Sequence, residues 1–587
     1  MKKIIFYFLF LLPLVGYTQT YWTGAVDTDW NTAGNWSSGV PNSSTAAVVS
    51  SCSTCPVLTS NVVTGGLTVD SGGNLDIGTY TVTVYGLYWM NWGNLTSNGG
   101  VIDASRTGNV QNSQFYGNLT LRINSAGTNN YLGGMGGNNT YHNDFTLEAH
   151  TGDWTTFEIG RGLVDTYKGK AIISNVGKGW LVVVDANNSY NSPTVFEDDV
   201  EFRNVHADEG HLQICLNGGK IRCLKKARFF DNTNSFNSYI WLGNAQFDDE
   251  TEVDTRKAHI SLGGCLYKED FILKNREGAL VELTWSNFEE AVDFVIPPSV
   301  PFLYGDLRMS YSSFYGNASS TPLNIQLGST STPTSYRPNT LIKLAYMWSI
   351  NREFNIQADY IHYQNSTFHK ATTMKRIGLT GTPPSGYIGG GVCPGFSRFE
   401  GTIKFDNEFG DHWVLGGYGP DVFKSDAEFI QGNNPWGALR ASYSGSTTYE
   451  GNIRMSTHPA SYNGIVWGEN TGFSTLVSGK TVSVDQFGYG LLTLARFTQL
   501  GATTPQTINM GTGAVQFYES KFESPLQVTT SRIGIGKSTF FDASFTKTGS
   551  GADGCEGQNT FKKKVHIKNQ STGSIVFYNQ NSKVNAP

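Results

Sequence analysis

One seven-residue frame recurs along this chain and limits what it can fold into. An aromatic residue is followed by three polar positions, then apolar, polar, apolar. The frame reads FYGNLTL from Phe115, YHNDFTL from Tyr141, YKGKAII from Tyr167, FEDDVEF from Phe196, CLKKARF from Cys223, FDDETEV from Phe247, YKEDFIL from Tyr267 and FEEAVDF from Phe288. It returns as FHKATTM from Phe368, FEGTIKF from Phe399, FKSDAEF from Phe423, YEGNIRM from Tyr449, FESPLQV from Phe522, FDASFTK from Phe541 (its last position failing) and FKKKVHI from Phe561. The early steps are 26, 26, 29, 27, 24, 20 and 21 residues. Between Tyr449 and Phe522 the gap is 73 residues, read as about three missing units.

Apolar residues at every second position describe short strands with one buried side. A polar bend follows each frame, opened by Asn175, Asn204, Asn275, Asn407 or Asn569, and a second alternation such as GHLQICL from Gly210 comes after it. A single such coil cannot bury its inward row, but stacked coils cover one another's backbone edges. The chain is therefore expected to be all-β, a β-solenoid, specifically a parallel right-handed β-helix with coils of about 20–30 residues. A row of separate β-sandwiches would need linkers, and none is visible. Composition agrees: 68 glycines, 13% aromatic and only 15% charged residues suit a turn-rich β protein, and a net charge of −6 argues against nucleic acid as a partner.

Met1-Lys2-Lys3 followed by IIFYFLFLLPLVGY reads as a signal peptide over 1–18, cleaved near Thr18/Gln19, so the mature chain is expected to be secreted or at the cell surface. No later run is long and apolar enough for a transmembrane segment. The expected organisation is a Trp-rich capping segment at 19–61, solenoid coils at 62–300, an irregular loop-rich segment at 301–366 marked by Pro322, Pro333 and Pro338, and coils again at 367–587. The last block is expected to be incomplete, because the chain stops inside a repeat. Of seven cysteines, Cys52 and Cys55 are expected to form a local disulfide, and Cys215 and Cys223 are candidates to pair across LNGGKIR.

The opening YWTGAVDTDWNTAGNWSSGVP resembles the W-x-G…D-x-W…N-W-x-x-G-x-P start of large exported surface proteins of the Bacteroidetes, and the C-terminal frames resemble the F-x-G-x-V-x-I repeats of that group. The resemblance implies an adhesin-like β-helix outside the cell and no reaction. Such proteins commonly end in a sorting domain for type IX secretion, and no such domain is recognisable in this sequence.

Trp22, Trp30 and Trp36 either form a cap over the first coil or present an aromatic platform to a glycan. The acidic bends FEDDVEF, FDDETEV and FEEAVDF would serve a carbohydrate-active enzyme or Ca²⁺ only if they clustered, and KKK or KGK stands at the same positions elsewhere. His206 and His211 in HADEGH match no metal-ligand spacing. No catalytic, cofactor-binding or metal-binding residue is identified, and no cofactor is expected. The function expected is a structural, adhesin-like scaffold presenting loops to surfaces, glycans or cell-surface proteins. The alternative is a polysaccharide lyase or glycoside hydrolase on a β-helix. Carboxylates grouped with Lys or Arg in a groove would favour the alternative.

Overall fold

The computed structural model describes residues 18–576 and 583–584, except 125–130, 154, 186–191, 276–278, 290–291, 296–304, 317–320, 328–339, 378–391, 409–411, 433–436, 459–460 and 486. The expected signal peptide, up to residue 17, lies outside the described residues, as do Pro333 and Pro338. By packing, the chain divides into two units, Met1–Lys225 and Lys226–Pro587.

The first unit is a parallel β-solenoid. Thr81–Asn91, Gly100–Gln111, Leu119–Asn124, Phe145–His150, Ala171–Asn175 and Val200–Asn204 form one parallel sheet. Thr156–Arg161, Trp180–Asp185 and His211–Leu216 form a second. Short strands at the corners form a third: Gln114–Tyr116, Thr140–Tyr141, Thr166–Tyr167, Thr194–Phe196 and Ile221–Cys223. Frame positions one, five and seven point inward, as Phe115, Leu119 and Leu121 or Tyr141, Phe145 and Leu147. The first positions stack from coil to coil: Phe115 on Tyr141 at 4.7 Å, Tyr141 on Tyr167 at 4.5 Å and Tyr167 on Phe196 at 4.7 Å, with planes within 10°. Strands in a sheet lie about 4.8 Å apart, so one repeat distance serves both the backbone hydrogen bonds and the ring stack.

The second unit repeats the design. Leu280–Thr284, Gly305–Ser310, Thr340–Ala345 and Tyr360–Gln364 pair in parallel, as do Thr372–Arg376, Ile403–Asn407, Ala427–Gln431 and Ile453–Thr457. Its corner aromatics stack in the same way: Phe368 on Phe399 at 4.9 Å, Phe399 on Phe423 at 5.0 Å and Phe423 on Tyr449 at 4.7 Å. Within 301–366, the strands Gly305–Ser310, Ser313–Phe314, Ser349–Ile350 and Phe354–Ala358 hold register with their neighbours.

At a corner the backbone leaves the sheet ladder, and its buried N–H groups need other acceptors. A polar column two residues before many first positions supplies them, although Ile221, Ala245 and Cys265 stand there in three coils. The Ser113 N–H donates to Asn139 Oδ1 (3.1 Å), the Asn139 N–H to Asp165 Oδ1 (2.8 Å) and the Asp165 N–H to Thr194 Oγ1 (3.1 Å). In the second unit Ser366 donates to Ser397, Ser397 to Asp421, Ser520 to Ser538 and Ser538 to Asn559, at 2.9–3.2 Å. Of the asparagines past the frame, Asn175, Asn204 and Asn407 are fully buried. Asn175 Nδ2 donates to the carbonyls of Gly179 (2.9 Å) and His211 (3.0 Å), and Asn407 Nδ2 to Gln431 Oε1 (3.0 Å).

Three expectations change. The copy assigned to Phe541 begins one residue earlier. Phe540 stacks on Phe561 at 5.6 Å and is fully buried, whereas Phe541 is 38% exposed. This coil has one residue fewer between corner and strand, because Phe522 opposes Phe540 while Leu526 opposes Ala543. Lys547 then falls at the position past the frame where those asparagines stand, and Nζ meets Asp553 at 3.0 Å and the Gly551 carbonyl at 2.7 Å. The 73-residue gap holds two coils, not three, with Leu476 and Gln499 registered between Tyr449 and Phe522. Cys52 and Cys55 are joined, but Cys215 and Cys223 form no disulfide. Cys223 fills the corner position opposite Phe196, and Cys215 lies in the strand His211–Leu216 of a different sheet.

Phe540→Ala should therefore destabilise the second unit by about 3–5 kcal/mol through the cavity it leaves, whereas Phe541→Ala should change stability by no more than about 0.5 kcal/mol. Chemical denaturation of the two variants checks the register directly.

Candidate functional site

The tryptophans singled out by sequence are packed inside the N-terminal segment. Trp30 is fully buried, and Trp22 and Trp36 are nearly so. Trp36 meets Trp22 edge-on at 5.0 Å and Trp30 at 4.7 Å. Their N–H groups are turned inward too, Trp22 Nε1 to the Thr54 carbonyl (2.6 Å) and Trp36 Nε1 to the Trp30 carbonyl (2.7 Å). Little ring face is left for a sugar, so the geometry gives these three a core position in the N-terminal segment, not a glycan platform.

Several carboxylates of the acidic frames, at the bends and on the strands after them, are engaged in ion pairs. Arg203 pairs with Glu201 at 2.6 Å, and Lys268 with Asp248 at 2.7 Å. Glu252 meets Lys226, Arg228 and Lys274 at 2.9–3.1 Å. Asp293 meets the buried Arg352 at 3.0 Å. In HADEGH, His206 Nδ1 accepts the N–H groups of Asp208 and Glu209, while His211 stacks on Trp180 at 4.3 Å and burial lowers its proton affinity. No group of three or more metal-ligating side chains occurs among the described residues.

An open groove of about 510 Å³ in the second unit is lined by Lys404, Asp426, Glu428 and Arg454. Carboxylates and cations share this concavity. Each charge nevertheless has a structural engagement. Asp426 Oδ1 accepts the Asn452 N–H (2.7 Å) and side-chain amide (3.1 Å), a turn cap that Asn452 repeats toward Thr481 (3.0 Å). Glu428 pairs with Lys404 at 3.6 Å, and Arg454 with Asp485 at 3.2 Å.

A different column stands at the corner three residues before the buried first position, or four in the case of Tyr346 and Ile350. There the chain turns left-handed, and the N–H bonds the next coil: Asn244 to Gly263, Gly264 to Thr284, Trp285 to Ser310, Tyr311 to Ala345, Tyr346 to Gln364 and Asn365 to Gly395. Asn and Gly tolerate this backbone; a bulky aromatic residue there is an outlier. Trp285, Tyr311 and Tyr346 hold φ of 54°, 52° and 54°, between Gly264 at 66° and Asn365 at 45°. Their side chains point out: Trp285 is 55% exposed, and Tyr346 and the adjacent Trp348 are exposed as well. Trp285 stacks on Tyr311 at 4.5 Å, Tyr311 on Tyr346 at 5.0 Å, and Trp348 meets Trp285 edge-on at 5.4 Å. Left-handed backbone at a bulky residue costs about 1–2 kcal/mol, and strain of that kind gathers at functional positions. The sequence signal was present, as an aromatic just before the small corner residue in TWSNF and SYSSF.

No family model, curated protein or solved structure matches this chain. Displaced carboxylate proton affinities, another marker of active sites, lead away from the surface. Burial pushes Asp165 and Asp421 up to about 7. Both stand in the corner columns, where Asp421 Oδ2 also accepts the Tyr363 hydroxyl (3.1 Å). In the unfolded chain each ionises at its ordinary value of 3.8. Between those values folding takes up a proton, so stability is full below about 4 and falls as pH rises to about 7, by no more than roughly 4 kcal/mol per carboxylate. An Asp165→Asn/Asp421→Asn variant should lose most of this slope, as measured by denaturation midpoints from acid to mildly alkaline pH.

Proposed function

We propose that the protein is exported and works outside the cell as a non-enzymatic, adhesin-like scaffold that holds ligand-contacting side chains at fixed spacing. The observation that carries this reading is the aromatic column of Trp285, Tyr311 and Tyr346, its outer members exposed and Tyr311 half-buried between them, at a corner where Asn or Gly would be less strained. Rings held by a repeating backbone lose little freedom on binding, so their apolar area contributes nearly in full to affinity. The basic and apolar start of the chain and its likeness to exported Bacteroidetes surface proteins support the location. Glycans and cell-surface proteins are the partners proposed.

A second reading, a polysaccharide lyase or glycoside hydrolase, rests on the groove lined by Lys404, Asp426, Glu428 and Arg454. The engagement of Asp426 in a turn cap and of Glu428 in an ion pair weighs against it.

Protease treatment of intact producing cells should remove the protein from their surface. The purified chain should adhere to host or matrix surfaces, and Trp285→Ala/Tyr311→Ala should weaken adhesion about tenfold with the β-sheet circular dichroism unchanged. Adhesion indifferent to that variant would count against the column, and polysaccharide cleavage abolished by Glu428→Gln would overturn the non-enzymatic reading.

A further inference from the structure

The first unit carries a second set of exposed apolar side chains, arranged along a strand instead of around a corner. On Thr81–Asn91 the outward residues are Tyr85, Leu87 and Trp89, all exposed, and Trp92 follows at the next left-handed corner with φ 57° and 60% exposure. Side chains two residues apart on a strand stand about 7 Å apart, so Leu87 and Trp89 form a short ridge, and a register shift between Val84 and Leu87 sets Tyr85 at a bulge at its end. Both flanks of the ridge are low. Thr68 opposes Trp89 on one side, and Gly108 lies on the other. A Cβ at Gly108 would sit 2.6 Å from Trp89 Cε3 and 3.1 Å from Leu87 Cδ2, so the indole leans over the glycine. A register shift opposite Trp89 puts the extra residue on the strand of Gly108.

The ridge has one charge beside it. Arg106 opposes Leu87 on the neighbouring strand and is exposed. Among the described residues Arg106 is in no ion pair, whereas Arg122 and Arg203, also outward on strands of this unit, meet carboxylates at 2.8 and 2.6 Å. The nearby Asp103 lies within 4.0 Å of Arg122 and accepts a hydrogen bond from the Asn124 amide. At the Trp92 end, Gln111 and Asn112 donate to Asn91 Oδ1 at 3.3 and 3.4 Å, leaving further amide donors and acceptors at the surface.

We propose that Tyr85, Leu87, Trp89 and Trp92, with Arg106, form a binding site for an anionic polysaccharide. Pyranose rings present apolar C–H faces that stack on indole and phenol rings, and successive sugars of a chain meet Tyr85, Trp89 and Trp92 in turn. The Arg106 guanidinium takes the carboxylate of a uronate, or a sulfate ester, through paired hydrogen bonds. Hydroxyl groups meet the amides around Asn91. No bond is made or broken. The site is independent of the aromatic column of the second unit, and variants at Trp285 leave it intact, so the two fail separately.

The test is affinity electrophoresis and calorimetry of the full chain against polygalacturonate, dextran sulfate and neutral xylan. The site predicts binding to one or both acidic polymers at least about tenfold tighter than to xylan, weakening as salt is raised. The first two polymers separate carboxylate from sulfate preference. Trp89→Ala should weaken binding about tenfold, and Arg106→Gln should remove both the preference for acid and the salt dependence. Gly108→Ala, which displaces the indole without removing it, should weaken binding as well. If Trp89→Ala fails to fold, Tyr85→Ala, at the more exposed end, reads the same contact. Equal binding to xylan, affinity unchanged in Arg106→Gln, or no binding to any of the three polymers would overturn the proposal.

Discussion

Both units depend on one coincidence of lengths. Parallel strands repeat at about 4.8 Å, and aromatic rings stack face to face at nearly the same distance. Tyr141 on Tyr167 at 4.5 Å and Phe423 on Tyr449 at 4.7 Å satisfy both at once. A coil may then vary in loop length, as the steps of 20 to 29 residues show, because only the corner and the short strand after it must return to register. That tolerance allows EDD and KKK to occupy the same three positions without disturbing the core.

Corners are the expensive part of such a fold. Each removes N–H groups from the sheet ladder, and the chain replaces those bonds with side-chain columns that point from one coil to the next. Ser, Asn, Asp and Thr do this in the buried column, and two aspartates there are driven by burial toward neutral pH. The left-handed corner is met cheaply by Asn244, Gly264 and Asn365 and at higher cost by Trp285, Tyr311 and Tyr346. Mutual stacking of those rings returns about 0.5–1.5 kcal/mol per pair, at most comparable with the strain. Stability alone therefore gives little reason for aromatic residues there, and contact with something outside the chain does.

The fold was legible because the inward row is a side-chain pattern, and side-chain patterns are what a sequence displays. Coils at Ile350, Leu476 and Gln499 were hidden because their first position is not aromatic, although the backbone register is unbroken. Phe540 and Phe541 are indistinguishable by residue type, and only the pairing of Leu526 with Ala543 reveals the shortened corner. The candidate sites were less legible. A cluster of tryptophans in sequence indicates packing as readily as display, and Trp30 is fully buried. The exposed column is scattered over 285–348 and linked only by a backbone conformation, which composition and hydrophobic periodicity do not report. The ridge on Thr81–Asn91 is an ordinary alternation whose outward half happens to be apolar.

The central claim is that the corner aromatics are kept for contact and not for the fold. The most direct measurement is the denaturation midpoint of Trp285→Asn/Tyr311→Asn/Tyr346→Asn, which places at all three corners the residue found at Asn244 and Asn365. Relief of three left-handed aromatic residues against the loss of two stacked pairs and one edge contact predicts a midpoint equal to or above that of the unaltered chain. A loss of several kcal/mol would show that the column holds the second unit together, and would contradict the account.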